Sequence, residues 1–150
     1  NMSEKELSGI IKDFLNGHRK AVLSTVGDDE HPTTSLMLYA IDDDLNVYFG
    51  TRKTFGKYSV IKRHPYVSLT VVEEKLDPLK AIEIRGKVEF IPEDKTAEML
   101  GFFESKNPSK YYVKGAPDFV MFKVTPSFVR FLDASSGELV LEHMPVGAKN

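Results

Sequence analysis

The hydrophobic pattern at the start of the chain has the period of an α-helix. Apolar residues from Leu7 to Leu15 recur at the spacing of one helical face. Ser3 followed by Glu6 forms a capping-box signature, which predicts that the helix begins just after Ser3. Gly17 lies where a helix commonly ends. The chain is therefore predicted to open with an amphipathic helix.

From residue 20 to residue 91 the pattern changes to that of β-strands. Residues 21–26 are rich in β-branched and apolar side chains and end in a polar turn that closes with Pro32. Residues 33–41 form the second predicted strand and residues 45–50 the third, with three consecutive aspartates between them. We interpret these three strands as an antiparallel meander joined by tight polar turns.

The rest of the chain alternates between helices and strands without a regular βαβ repeat. A short helix over 55–63 is predicted to stop at His64-Pro65, because proline disfavours helical geometry in the residue before it. The later predictions are strands over 66–72 and 81–91, a helix over 93–105, a loop over 110–117, and strands over 119–125 and 128–132. Residues 134–150 have a mixed pattern to which we assign no element.

Six or seven strands with two or three peripheral helices predict a mainly β fold of the α+β kind. The missing βαβ alternation argues against a doubly wound parallel sheet. A closed or nearly closed antiparallel barrel would remove the exposed strand edges that such a sheet otherwise leaves. We therefore expect an antiparallel β-barrel.

Length and composition favour one globular domain. The 150 residues show no repeat, linker or change of composition, so we expect a single domain over 1–150 with its core at about 14–132. Asn1 precedes Met2, and we expect Asn1 to be a remnant of expression. No apolar run reaches the roughly 18 residues of a membrane span. Cysteine is absent and the net charge is −2, so we expect a cytoplasmic protein that binds neither membranes nor nucleic acid.

The segment from Gly50 to Lys57 is the strongest candidate for chemistry. It follows a predicted strand, contains two glycines, two threonines and three cationic side chains, and leads into a predicted helix. Amides at a helix start, hydroxyls and cations all suit a phosphate. A solvated basic loop explains the same composition equally well. The spacing does not match the P-loop, because five residues separate the glycines and Tyr58 replaces the magnesium-binding hydroxyl.

Other catalytic signatures are missing from the sequence. The four histidines are scattered without metal-ligand spacing, and no GxSxG elbow occurs. The acidic runs 28–30 and 42–44 have the position of solvated hairpin turns. A phosphate-binding loop without a nucleophile or an acid–base pair suggests that a bound cofactor carries the reactive group. FMN fits, because it has a terminal phosphate and performs hydride chemistry.

The order of the motifs resembles the pyridoxamine 5'-phosphate oxidase-like family of FMN-binding split barrels. The resemblance runs from about Phe14 to Leu132. It rests on AVLSTV at 21–26, SLML at 35–38, VYFGT at 47–51, HPYVSL at 64–69 and IRGKVE at 84–89. The resemblance implies a six- to seven-stranded antiparallel split β-barrel that binds FMN as a cofactor.

The same resemblance implies roles for individual residues. Thr51 and Lys57 match the hydroxyl and the lysine that hold the FMN phosphate, and Phe49-Gly50 matches the strand end beside the cofactor. Residues Ser35, Leu36 and Met37 match the strand whose main chain runs along the isoalloxazine ring. The family also implies a homodimer with the FMN sites at its interface and a small-molecule redox substrate.

Several departures separate this chain from the oxidase itself. Gly56 stands where the oxidase has an arginine beside the phosphate lysine, and Arg52 or Lys53 is expected to compensate. Ser35 replaces another arginine, Ala81 replaces a polar residue, and the chain has no tryptophan. The resemblance therefore implies FMN binding in a stress-protein-like or reductase-like member rather than oxidation of pyridoxamine phosphate.

Three readings of the function follow from these residues. The first is an FMN-binding oxidoreductase of unknown substrate. The second is a non-catalytic carrier or sensor that holds flavin or haem, and the third is a structural dimer that has lost its cofactor. The deazaflavin F420 is an alternative cofactor, because a basic loop would accept its phosphate as well.

Overall fold

Segments with alternating burial form one antiparallel sheet in this protein. The structure is a computed structural model that describes residues 2–108 and 116–146. Within these residues the helices are α1 (Glu4–Asn16), α2 (Gly56–Arg63) and α3 (Thr96–Lys106), and a 3-10 turn, Glu93–Lys95, precedes α3. The strands are β1 (Lys20–Val26), β2 (Pro32–Leu38), β3 (Ala40–Ile41), β4 (Val47–Arg52), β5 (Tyr66–Val72), β6 (Lys80–Phe90), β7 (Phe119–Asp133) and β8 (Val140–Met144).

The sheet curls into a split barrel, with β2 and β3 at the two ends of the strand order. The order is β2-β1-β5-β6-β7-β4-β3, and β8 pairs with the second half of β7. Consecutive strands β2 and β3 therefore lie at opposite ends of the hydrogen-bonded order. The inward residues of the strands form the core together with one face of α1. The predicted mainly β, antiparallel split barrel with peripheral helices is confirmed.

The capping box predicted for the first helix is present. The Glu6 backbone N–H donates to the Ser3 hydroxyl over 3.1 Å, and a Glu6 carboxylate oxygen accepts from the Ser3 backbone N–H. Helix α1 buries Leu7, Ile11 and Leu15 against the sheet. Helix α1 therefore covers part of the barrel core.

The structure differs from the predicted second strand and from the predicted three-strand meander. The expected strand 33–41 is interrupted at Tyr39, whose buried hydroxyl donates to the Leu15 carbonyl over 2.6 Å. Strand β2 pairs with β1, whereas β3 pairs with β4 and β4 pairs with β7. The third predicted strand corresponds to β4, which pairs with β3 and β7 and not with β2. The three predicted strands therefore do not form a local meander.

The two last predicted strands are one continuous strand. Strand β7 runs through Pro126, which lies opposite Gly86, and the register shifts between Arg85 and Gly86. A Cβ on Gly86 would overlap the carbonyl of Thr125, so the close approach of the two strands requires glycine there. Strand β8 lies in the segment for which the sequence assigned no element, and it adds an eighth strand to the six or seven expected.

Two expectations touch residues that the structure does not describe. Residues 110–115 of the predicted loop and residues 147–150 of the C-terminal segment lie outside the described residues. Among the helices of residues 2–108 and 116–146, none combines the length and apolarity of a membrane span.

Candidate functional site

The end of β4 and the start of α2 form one wall of a cavity at the side of the barrel. The cavity has a volume of about 270 Å³. Its other walls come from the end of β2, from α3 and from the start of β7. The lining residues are Leu36, Met37, Leu38, Gly50, Thr51, Arg52, Phe55, Lys57, Phe103 and Phe119.

Thr51 belongs to the cavity wall and has a buried hydroxyl. Strand β4 alternates so that Phe49 enters the core and Thr51 is only 4% exposed. The Thr51 Oγ1 has no hydrogen-bond partner among the described residues. A buried polar atom without a partner costs free energy, so its presence is a sign of a missing partner. The unpartnered Thr51 hydroxyl, in a residue of the cavity wall, is therefore a candidate donor to a ligand.

Lys57 brings an amine to the lining of the same cavity. It lies in the first turn of α2, half-buried, with its Nζ 3.5 Å from the Met37 sulfur. Burial lowers the pKa of Lys57, and no charged group of the described chain acts against that shift. A thioether is a weak acceptor. The amine is therefore available to an anion that enters the cavity.

The start of α2 adds backbone donors to the same wall. Phe55, at the N-cap, makes no side-chain hydrogen bond, and the first turn of the helix contains no acidic residue. The first amides of a helix have no partner within the helix and lie at the positive end of its dipole. In α2 the Tyr58 N–H already donates to the Phe55 carbonyl over 3.0 Å, so the amides before it are the ones available. Together with Thr51 and Lys57, these earlier amides give the cavity the chemistry of a phosphate site.

Arg52 is held by an acidic residue that the sequence reasoning did not identify. Its Nε and Nη2 donate to one oxygen of Asp118 over 3.0 and 2.8 Å, and Nε also approaches the second oxygen at 3.1 Å. Thr54 donates its hydroxyl to the same carboxylate over 2.8 Å. These hydrogen bonds from Arg52 and Thr54 lower the pKa of Asp118 to about 2. Asp118 is thus ionised at neutral pH and ties the loop after β4 to the start of β7.

The structure brings six of the nine predicted site residues to the cavity. They are Leu36, Met37, Gly50, Thr51, Arg52 and Lys57. Phe49 is fully buried in the core, where its ring stacks on Phe122. Ser35 is half-buried and pairs with Leu23 on the neighbouring strand, while Lys53 has an exposed side chain and donates its backbone N–H to the Asp118 carbonyl. Whether these residues contact a cofactor stays a prediction.

Four cavity residues were not predicted from the sequence. Leu38 extends the β2 pattern by one residue, and Phe55 lies inside the candidate loop, so both were within reach of the motif. Phe103 and Phe119 come from elements far along the chain. Nothing local in the sequence relates these two aromatic residues to residues 50–57.

An exposed, largely uncharged surface borders the cavity. On the outer side of β1, β2 and β5, Leu36 is 69% exposed and lies beside Val22, which is 42% exposed. Tyr66 is 71% exposed on the same side of β5. The register places small hydroxyl residues between them, namely Ser24, Thr34, Ser68 and Thr70. Leu36 belongs both to this outer face and to the cavity.

The fold places this chain in the class of split-barrel proteins, and a family model identifies the family within that class. The family model described as pyridoxamine 5'-phosphate oxidase matches residues 7–133, which is most of the chain. The chain therefore belongs to the pyridoxamine 5'-phosphate oxidase family. No curated protein matches the sequence.

Three solved structures illustrate the range of similar proteins. A candidate pyridoxamine 5'-phosphate oxidase from Listeria innocua is 23% identical, with a TM-score of 0.70 over 84% of this chain and 98% of that one. An F420 reductase is 25% identical, with a TM-score of 0.66 over 79% and 94%. A haem-binding protein from Mycobacterium smegmatis is 15% identical, with a TM-score of 0.76 over 95% and 59%. The fold is thus shared by proteins described with different cofactors.

Proposed function

We propose that this chain binds FMN in the cavity and acts as a flavin-dependent oxidoreductase on a small-molecule redox substrate. The observation that carries the proposal is the buried Thr51 hydroxyl, which has no hydrogen-bond partner among the described residues. Thr51 lines the same cavity as Lys57. A phosphate oxygen would accept from both groups. The family membership, from the match to residues 7–133, supports a flavin as the ligand that carries this phosphate.

The residues of the chain have separate roles in this proposal. Thr51 and Lys57 hold the phosphate, and the first amides of α2 add neutral donors to it. Gly50 leaves room for the Phe119 ring in the cavity wall, since a Cβ there would lie 2.9 Å from that ring. Leu36 and Met37 provide apolar surface that excludes water. FMN supplies the hydride chemistry that these side chains lack.

We propose further that the protein is a homodimer and that the partner subunit completes the site. A cavity of about 270 Å³ falls below the roughly 300–1,000 Å³ of complete ligand pockets. The outer face around Leu36, Val22 and Tyr66 exposes apolar side chains, and Leu36 also lines the cavity. A second copy on this face would cover these side chains and enclose the ligand. The proposal keeps the cytoplasmic location expected from the sequence.

The alternative cofactors differ in how well they match the cavity. The deazaflavin F420 carries a phosphate, so Thr51 and Lys57 suit it as well as FMN, and a similar structure is described as an F420 reductase. Haem usually requires an axial ligand such as histidine, cysteine or methionine. Of these, the described lining offers only Met37, whose sulfur contacts the Lys57 amine. We therefore rank FMN and F420 above haem.

A non-catalytic carrier or sensor is the second candidate function. The polar side chains that line the cavity, within the described residues, are those of Thr51, Arg52 and Lys57, and Arg52 is paired with Asp118. This set can hold an anion but offers no evident acid–base pair to a substrate. Reduction by a nicotinamide donor and reoxidation by candidate acceptors would separate an oxidoreductase from a carrier.

The first experiment is the absorbance spectrum and mass analysis of the bound chromophore in freshly purified protein. We expect a flavin spectrum and the mass of FMN. The cofactor-free protein should bind FMN more tightly than riboflavin, which lacks the phosphate. The variant Lys57→Met should lose about 1–3 kcal/mol of FMN affinity, the scale of a charge-assisted hydrogen bond, with little change for riboflavin. Equal affinity for FMN and riboflavin in the wild type would contradict the proposed phosphate site.

A further inference from the structure

The loop that carries the candidate phosphate site is fastened at three consecutive residues to one acidic residue. Asp118 accepts hydrogen bonds from the Arg52 guanidinium and the Thr54 hydroxyl through its carboxylate. Its backbone carbonyl also accepts the Lys53 N–H over 2.8 Å. Asp118 immediately precedes β7, and β7 pairs along β4 as far as Arg52 and Phe119. The loop is thus fixed to a strand of the barrel itself.

We propose that Asp118 is a positioning residue for the phosphate site and that Arg52 acts as its anchor rather than as a phosphate ligand. The inference rests on the proposed function, because it concerns the residues that would hold the FMN phosphate. It reverses the expectation that Arg52 compensates for the arginine missing at position 56. Among the described residues, the anion is then held by the Lys57 cation together with Thr51 and backbone amides.

The geometry supports an anchoring role for Arg52. A guanidinium that meets a carboxylate with two nitrogens is fixed in direction as well as in distance. Both side chains are partly buried, at 35% exposure for Arg52 and 18% for Asp118. Releasing Arg52 toward a ligand would leave the Asp118 carboxylate without its guanidinium partner, which is costly for a partly buried charge. The pair is therefore expected to persist when the cavity is filled.

The position of the loop decides where the phosphate donors lie. Thr51 precedes the three anchored residues, and Phe55 and Lys57 follow them. The Phe55 N–H donates to the Arg52 carbonyl over 3.0 Å, so the N-cap of α2 is hydrogen-bonded directly to the anchored Arg52. Loosening Asp118 would let the amides of α2 and the Lys57 amine move relative to the Thr51 hydroxyl. The loss of binding affinity would be confined to ligands that carry the phosphate.

A double-mutant cycle with two ligands tests this role. The variants Asp118→Asn, Arg52→Met and the double variant would be titrated with FMN and with riboflavin. We expect each single variant to weaken FMN binding about three- to tenfold, with riboflavin affinity within about twofold, the scale of a lost hydrogen bond. The double variant should bind FMN no more weakly than either single variant, because both changes break the same anchor.

Each other result of the cycle would count against the proposal. If Arg52→Met weakens FMN binding while Asp118→Asn leaves it unchanged or strengthens it, Arg52 is a direct ligand. If FMN and riboflavin lose affinity equally, Asp118 has only a structural role. Asp133→Asn is the matched control, since Asp133 ends the same strand and its carboxylate accepts from Ser135. This control should leave both affinities unchanged.

Hydrogen exchange tests the anchor without any cofactor. In the cofactor-free protein, Asp118→Asn should speed exchange of the amides of Lys53 and Phe55 several-fold, whereas Asp133→Asn should not. Unchanged exchange in Asp118→Asn would overturn the positioning role even if FMN binds. Faster exchange in a protein that fails to bind FMN would instead uphold the anchor and contradict the proposed function.

Discussion

At the residue scale, Thr51 is the position where stability and ligand affinity are expected to change in opposite directions. Its buried hydroxyl lacks a partner in the described chain, so Thr51→Val removes an unsatisfied polar atom while it keeps the shape of the side chain. We expect the cofactor-free protein to gain about 1 kcal/mol of unfolding free energy. FMN affinity should fall about tenfold, by roughly one hydrogen bond to a charged acceptor. Denaturant unfolding and FMN titration measure the two effects.

Thr25 provides the matched control for this substitution. It is 5% exposed, and its hydroxyl lies 2.8 Å from the Thr33 hydroxyl. Thr25→Val therefore removes a hydroxyl that has a partner, and we expect it to lower stability and leave FMN affinity unchanged. If Thr51→Val also destabilises the cofactor-free protein, the Thr51 hydroxyl has a partner within the protein and does not await a ligand.

Lys57 should make FMN binding depend on pH. Burial lowers its pKa in the cofactor-free protein, so the amine is neutral between that lowered pKa and the ordinary lysine value. The unfolded chain binds more protons in this window, and stability rises with pH across it. A phosphate favours the charged amine. FMN affinity should therefore be full below the lowered pKa and fall as pH rises through it.

Titrations between pH 7 and pH 10.4, the ordinary value for lysine, measure this effect. The lower limit keeps the phosphate itself largely dianionic, since its second pKa is about 6. Riboflavin affinity in the same buffers corrects for ionisation of the flavin ring. The variant Lys57→Met should bind FMN weakly and without this pH dependence. A pH dependence that survives in Lys57→Met would assign it to another group.

The sequence predicted the local part of the site but not its long-range part. Thr51 and Lys57 lie within one strand–loop–helix segment, so composition and resemblance were enough to select them. Asp118 lies 66 residues beyond Arg52, and no local pattern relates the two. Only the pairing of β4 with β7 brings them together. The expected role of Arg52 thus depended on a contact that a sequence without its fold does not contain.

At the element scale, Gly86 is the residue on which the long β6–β7 pairing depends. A Cβ at this position would overlap the Thr125 carbonyl beside the register shift. Gly86→Ala should lower the free energy of unfolding by about 1–3 kcal/mol, as overpacking does in close-packed interiors. Thermal and denaturant unfolding measure the loss.

A second glycine gives the comparison for this substitution. Gly101 lies in α3, where a Cβ would meet no atom within 4 Å. Gly101→Ala should raise stability by roughly 0.5–1 kcal/mol, because alanine reduces the freedom of the unfolded chain and suits a helix. Equal effects of the two substitutions would show that backbone freedom, rather than the approach of β7, governs position 86.

The elements that the sequence predicted well have local causes. Helix α1 follows from its capping box and its amphipathic spacing, and β5 follows from a run of β-branched residues that ends before a polar loop. The errors came from long-range packing. Pro126 resembles the end of a strand, yet β7 continues past it because Gly86 lies opposite. Tyr39 continues the alternation of β2, yet its hydrogen bond to Leu15 coincides with the break before β3.

At the scale of the whole molecule, the outer face of β1, β2 and β5 should determine the oligomeric state. Strand β1 lies between β2 and β5, and its outward residues after Lys20, namely Val22, Ser24 and Val26, carry no charge. In the proposed dimer a charge at Val22 would be buried without a partner, which is costly. Val22→Glu should therefore convert the dimer to a monomer and weaken FMN binding, because Leu36 lies directly opposite Val22 and lines the cavity.

Sedimentation velocity with and without FMN measures this prediction. Leu76→Glu is the control, since Leu76 is 86% exposed in the loop between β5 and β6 and does not line the cavity. It adds the same charge and should leave both the dimer and the FMN affinity unchanged. If Val22→Glu remains a dimer with normal affinity, another surface forms the interface. If it becomes a monomer that still binds FMN tightly, one subunit contains the whole site and the 270 Å³ cavity must open further to admit the ring.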